Sequence, residues 1–149
     1  MDIKSYLLQA GFVDLLLDAV CVVDRNGRFV YVSAASKRIL GYEPRELIGT
    51  AMIDLVFPAD RERTLLAAND IMAGEPKLNF ENRYVHKDGH VVHIQWSARW
   101  SETHEVRVAV ARDITERKQA ESRQSALFAI SEAAHGAEDL LALFPWVHQ

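Results

Sequence analysis

The sequence predicts an α+β fold: a five-stranded antiparallel sheet with short helices on one face, an N-terminal amphipathic helix and a C-terminal helix. Three observations carry this. Val92, Ile94, Trp96, Ala98 and Trp100 alternate with Val91, His93, Gln95, Ser97 and Arg99, the period of two of a strand with one face in a core. Two turn pairs, Asn26-Gly27 and Asp88-Gly89, separate β-rich runs as hairpin connections do. The 149 residues, 49% hydrophobic and 26% charged, suit one globular domain plus an extension.

Residues 3–18 read as an amphipathic helix, with Ile3, Leu7, Leu8, Phe12, Leu15 and Leu16 near helical spacing. A stripe that wide must be covered, by the chain's own sheet or by a second copy. For the second case Leu7, Leu8, Phe12 and Leu15 are the dimer-seam candidates. Residues 20–24 form a short buried strand. Asn26-Gly27 supplies the positive φ angles of a tight turn, and residues 29–32 return. Ser33 caps a short helix that ends at Gly41, a residue suited to the left-handed position after a helix. Residues 44–48 make one helical turn, stopped by Gly49. A longer helix starts after Pro58, with acids near its beginning, and carries Leu65, Leu66, Ala68, Asn69 and Met72 towards Gly74. Asp60 and Glu62 read as solvated acids of that helix. Three strands follow: residues 78–86, the alternating strand, and a last one in which Val106, Val108 and Val110 alternate with Arg107, Ala109 and Ala111. The helices between the second and third strands leave room for a pocket against the sheet.

The last strand changes period almost at once. From Thr115 onward Glu, Arg, Lys, Gln and Ala dominate, so a polar helix begins within three residues of the sheet. Asp113, Ile114 and Thr115 are the joint, with Thr115 as the expected N-cap. A connection that short transmits movement of the strand to the helix.

Composition removes several classes of function. A net charge of −4 without a clustered basic stripe argues against a nucleic-acid groove. The single cysteine, Cys21, excludes an intrachain disulfide and a cysteine-based zinc site, and suits a reducing compartment. No apolar run approaches the roughly 20 residues that span a bilayer, and the first residues lack the form of a signal peptide. The expected location is cytoplasmic. Gly-x-Ser-x-Gly, a phosphate-binding glycine loop and His-Glu-x-x-His do not occur, so no catalytic residue is assigned.

Val22-Val-Asp24 with Asn26-Gly27, Tyr31-Val-Ser-Ala-Ala35, Leu40-Gly-Tyr42, Glu46-Leu-Ile-Gly49, Val56-Phe-Pro58 with Asp60-Arg61, Glu81-Asn-Arg83, Lys87-Asp-Gly89 and Asp113-Ile-Thr-Glu-Arg-Lys118 follow one another in order. Together they resemble a PAS domain over roughly residues 15–118. Many relatives carry Asn where this chain has Ser33. The resemblance implies a sensory or interaction module with the fold argued above. Such modules often dimerise and pass signals through a C-terminal helix to an output domain, such as a kinase or cyclase, in the same chain.

It also frames the cofactor question. Light-responsive relatives with a flavin-reactive cysteine carry it in an Asn-Cys-Arg-Phe segment before the long helix; residues 49–55 have no Cys, so covalent flavin is not expected. Haem-binding relatives usually supply a His from that helix, and residues 61–74 have none. His86, His90 and His93 bracket the second turn, but odd spacing on a strand separates His90 from His93, and no acid or Cys completes an evident metal set. Non-covalent flavin or another small organic ligand stays open, as does a filled core without any ligand. The candidate pocket lining is Met52, Ile53, Leu55, Phe57, Leu65, Leu66, Asn69, Met72, Tyr84, Gln95 and Trp96.

In the tail, Ala120, Leu127, Ala134 and Leu141 fall seven apart, interrupted by Arg123 and Gly136, which is compatible with a short parallel dimer helix. Residues 128–144 resemble the opening helix of a GAF domain. The expected organisation is a cap helix at 1–18, a PAS domain at 19–115, and a linker helix with the start of a following domain at 116–149. The expected function is signal input to a larger protein, or alternatively a ligand-free scaffold for dimerisation.

Overall fold

A computed structural model describes residues 16–142, with side chains through residue 137. Most of the helix expected at 3–18, with Leu7, Leu8, Phe12 and Leu15, lies outside the described residues. Its last three, Leu16, Leu17 and Asp18, are not helical.

Five strands form one antiparallel sheet: β1 (Ala19–Asp24), β2 (Phe29–Val32), β3 (Lys77–Val85), β4 (Val91–Ser101) and β5 (Val106–Asp113), in the spatial order β2-β1-β5-β4-β3. Because β2 and β3 are opposite edges, the chain between them must cross the whole sheet. It does so with helices α1 (Ser36–Leu40), α2 (Pro44–Leu47) and α3 (Arg61–Met72) and two short 3₁₀ turns. Both sheet faces carry apolar residues. The inner face, under these helices, includes Ala19, Cys21, Val23, Tyr84, Val92, Ile94, Trp96, Ala98, Ala109 and Ala111. The outer face carries a second cluster of Val20, Val22, Tyr31 and Val106, with Val30 and Val108 beside it. Phe29 and Tyr31 would share a face on a regular strand. A bulge at Val22/Val23, where Val22 faces Tyr31 but Val23 faces Phe29, makes Val30 the extra residue and turns Phe29 into the inner core.

Several local expectations change. In the first turn only Gly27 takes a positive φ, 82°; Asn26 does not. The Asp24 carboxylate holds that turn instead, accepting hydrogen bonds from the Asn26 and Arg28 amides at 2.9 and 3.0 Å. Ser33 does not cap a helix. Its hydroxyl oxygen accepts from the Val20 amide at 2.8 Å, tying the end of β2 to β1, and α1 begins three residues later. Gly41 does terminate α1 in the left-handed conformation, φ 83°. Asp60 is buried rather than solvated, because it accepts hydrogen bonds from Arg83 on β3.

The chain divides into two compact units between Ile114 and Thr115. The second contains α4 (Thr115–Ala142), which runs unbroken through Gly136. At about 1.5 Å per residue its 28 residues extend about 42 Å. Arg117–Glu121 at 3.6 Å and Lys118–Glu121 at 3.8 Å are pairs along its surface. Leu127, Phe128 and Ile130 are all exposed on it. No helix among the described residues is long and apolar enough to cross a membrane.

Candidate functional site

The inner face of the sheet and α3 border a partly open cavity of about 40 Å³. It exists because both walls use small side chains where they approach. Ala67 and Ala68 of α3 face Ala98 of β4 and Ala109 of β5, and these residues do not fill the layer. Larger groups close the sides: Phe29 from β2, Phe80 and Tyr84 from β3, Trp96 from β4, Ile71 from α3 and Met52 from the turn before it. The Tyr84 and Trp96 rings meet at 5.6 Å with a 45° tilt, a favourable aromatic geometry. The volume admits roughly two or three water molecules or a small organic group.

One wall is polar and internally satisfied. The Trp96 Nε1–H donates to Asn82 Oδ1 at 2.9 Å, and Asn82 Nδ2–H donates to Thr64 Oγ1 at 3.1 Å. Thr64 in turn donates to the Asp60 carbonyl at 2.7 Å. This relay joins β4, β3 and α3 across the cavity. Arg107 of β5 also lines it, although its neighbours on that face are Ala109 and Ala111. It is only 6% exposed. Burial pulls its guanidinium down from the ordinary value. Burial likewise pushes the Cys21 thiol up to about 12, partly opposed by the Arg107 charge, and raises the Tyr84 phenol. Cys21 and Tyr84 are therefore neutral at pH 7.

Of the expected pocket residues, Met52, Tyr84 and Trp96 line the cavity. Ile53 and Leu55 pack at the edge of the inner core, and Phe57 lies under the Arg83 guanidinium at 4.5 Å. Leu65, Leu66 and Asn69 are exposed on the far side of α3 and Met72 is half-buried, because the helix turns Thr64, Ala67, Ala68 and Ile71 inward. Gln95 alternates with Ile94 and Trp96 and so belongs to the outer face. The lining residues not anticipated, above all Asn82, Ala98, Arg107 and Ala109, follow from the strand alternation that Tyr84 and Trp96 begin. A charge in a strand reads as solvent-facing, so Arg107 carries no local signal of its inward position.

The histidine reading also changes. Asp88 joins His86 and His90 in a group whose ligand-type atoms lie within 4.8 Å of one another, so an acid does accompany two of the three. The two rings stack at 4.3 Å, and Asp88 Oδ1 lies 3.2 Å from His86 Nδ1 and 2.5 Å from His90 Nδ1. His93 stands apart on β4, where its carbonyl accepts the Ile114 amide at 2.8 Å. That bond, with the buried Ile114 side chain, anchors the joint to β4.

Residues 29–111 match the family described as PAS fold. White collar 2 protein of Neurospora crassa is 32% identical over 80 residues, which cover 54% of this chain and 15% of that much longer protein. The PAS domain of a protein from Colwellia psychrerythraea superposes with a TM-score of 0.66 at 26% identity, covering 75% of this chain and 98% of that one. A domain of a sensory box sensor histidine kinase/response regulator from Geobacter sulfurreducens gives a TM-score of 0.63 at 20% identity, over 73% and 94% of the two chains. The fold recurs across these structures, the sequence match spans more than half of the molecule, and the chain belongs to the PAS-fold family.

Proposed function

We propose that the chain is the signal-input module of a larger cytoplasmic signalling protein, in which a small molecule in the inner cavity shifts the sheet and the joint at Asp113, Ile114 and Thr115 passes the shift to α4 and an output domain beyond it. The observation that carries the reading is the continuity of β4. Trp96 and Ala98 form the cavity wall, and three residues before Trp96 the His93 carbonyl holds the Ile114 amide. A rearrangement of the wall therefore has a short mechanical path to the joint. A ligand acts this way only if it binds one of two states better; one that binds both equally changes nothing. The role is sensory rather than catalytic. A buried free thiol at Cys21 suits a reducing compartment.

The runner-up is a ligand-free scaffold that acts by dimerising. It is favoured by the apolar side chains that α4 exposes, Leu127, Phe128 and Ile130, which a second copy would cover. Dimerisation belongs to both readings; an occupied cavity belongs only to the first. Native mass spectrometry of the purified protein, with thermal shifts across a panel of small metabolites, separates them. A bound mass or a specific shift supports the sensor. A bare protein insensitive to the whole panel leaves the scaffold. Monomers at high concentration in sedimentation would overturn dimerisation.

A further inference from the structure

Among the described residues, six polar or charged ones are buried: Ser33, Ser36, Asp60, Thr64, Asn82 and Arg107. Five make side-chain hydrogen bonds to other groups of the chain. Arg107 has no ion pair or side-chain hydrogen bond among the described residues. Its titratable neighbours on the inner face of the sheet are Cys21 and Tyr84, both neutral at pH 7, so neither balances it. A largely buried guanidinium without an opposite charge is a costly arrangement. Here it stands at the wall of a cavity.

We propose that the cavity takes a small monocarboxylate, with an apolar body against the alanine and aromatic walls and its carboxylate on Arg107. This rests on the reading of the cavity as a ligand site. The body is apolar because most of the remaining lining is Met, Phe, Ile, Ala and Trp. The head is a single carboxylate because one planar guanidinium fork matches its two oxygens and one charge. The other cation on the lining, Lys77, is already engaged by Asp70 at 3.2 Å and Glu75 at 3.7 Å. A dianion would therefore bring more charge than the cavity answers. The Tyr84 hydroxyl, neutral and buried beside Arg107, is the second donor within this wall.

The test compares acids with their uncharged amides. Propionate and butyrate are titrated into the full chain beside propionamide and butyramide, followed by thermal shift and by the indole N–H resonance of Trp96. The expected result is that the acids raise the melting temperature and move the Trp96 signal, with the amides about tenfold weaker or more. In R107M the acids lose that advantage, while the protein without ligand melts no lower than the parent. Equal responses to acid and amide in the unmodified protein would overturn the role of Arg107 and leave the cavity a neutral-ligand site. No response to either acid or amide would remove the ligand site itself. The comparison within the unmodified protein decides the matter even if R107M does not fold.

Discussion

Asp60 and Arg83 form a two-pronged ion pair that fastens the start of α3 to the edge strand β3. Oδ1 of Asp60 accepts from Arg83 Nη2 at 2.7 Å, and Oδ2 accepts from Nε at 3.0 Å and from the Arg83 amide at 2.8 Å. The Asp60 side chain is 7% exposed and that of Arg83 37%. Replacing Asp60 by Asn keeps the shape, removes the charge and leaves Arg83 without its partner. Urea unfolding of D60N is expected to show a loss of about 2–3 kcal/mol. A loss within experimental error would mean that the pair holds nothing together.

The same pair sets an acid limit. Hydrogen bonds from the Arg83 side chain hold the Asp60 carboxyl below its ordinary value, against the opposing effect of burial. A carboxyl with a lowered value in the folded state contributes stability at pH values above the ordinary one, near 4. That contribution is lost as pH falls through the folded value. The melting temperature of the parent should fall below pH 4 more steeply than that of D60N. Parallel acid profiles would contradict the assignment.

Gly41 sits against His86. A Cβ at this position would lie 2.4 Å from the imidazole Cε1, and its φ of 83° is one that side chains resist. Gly41→Ala should cost about 2–3 kcal/mol by chemical denaturation and move the His86 resonances. Gly27→Ala shares the unfavourable φ, 82°, but meets nothing within 4 Å, so its cost should stay near 1 kcal/mol. Equal losses would show that the contact with His86 is unimportant.

Cys21 is buried on β1, between β2 and β5, and its thiol stays protonated until about 12. The thiolate is the reactive form, so iodoacetamide at pH 8 should modify the native protein far more slowly than the protein in urea. Because the folded value lies above the ordinary 9.0, the neutral thiol favours the fold below pH 9 and that preference fades as pH rises towards 12. C21A should flatten this part of the alkaline profile. Fast labelling of the native protein would place the sulfur at an opening instead.

Much of the fold is legible in the residues. The two hairpin turns, the Gly41 stop, the alternation of β4 and the joint after Asp113 all follow from local rules of spacing and turn chemistry. The site is less legible, and α3 shows why. Its sequence, Arg-Glu-Arg-Thr-Leu-Leu-Ala-Ala-Asn-Asp-Ile-Met, has apolar residues nearly all round, so hydrophobicity alone does not fix which side faces inward. Close approach to the sheet does fix it, since Ala67 and Ala68 fit against Ala98 and Ala109 where Leu65 and Leu66 would not. The bulge at Val30 and the inward Arg107 likewise depend on partners distant in sequence. β5 carries apolar residues on both faces, the sign that a charge at Arg107 need not point to water; only its Val106 end is buried on the outer face, and Val110 is exposed.

The central claim is that the cavity and the joint are coupled through β4. Hydrogen exchange of the Ile114 amide, bonded to the His93 carbonyl, reads this most directly, measured with and without saturating butyrate. Occupancy of the cavity should change the exchange rate at Ile114 and in the first turn of α4, while the connection between Ser101 and Val106, at the opposite end of β4 and β5, keeps its rate. A Trp96 resonance that reports binding, beside an Ile114 exchange rate that does not change, would contradict the coupling.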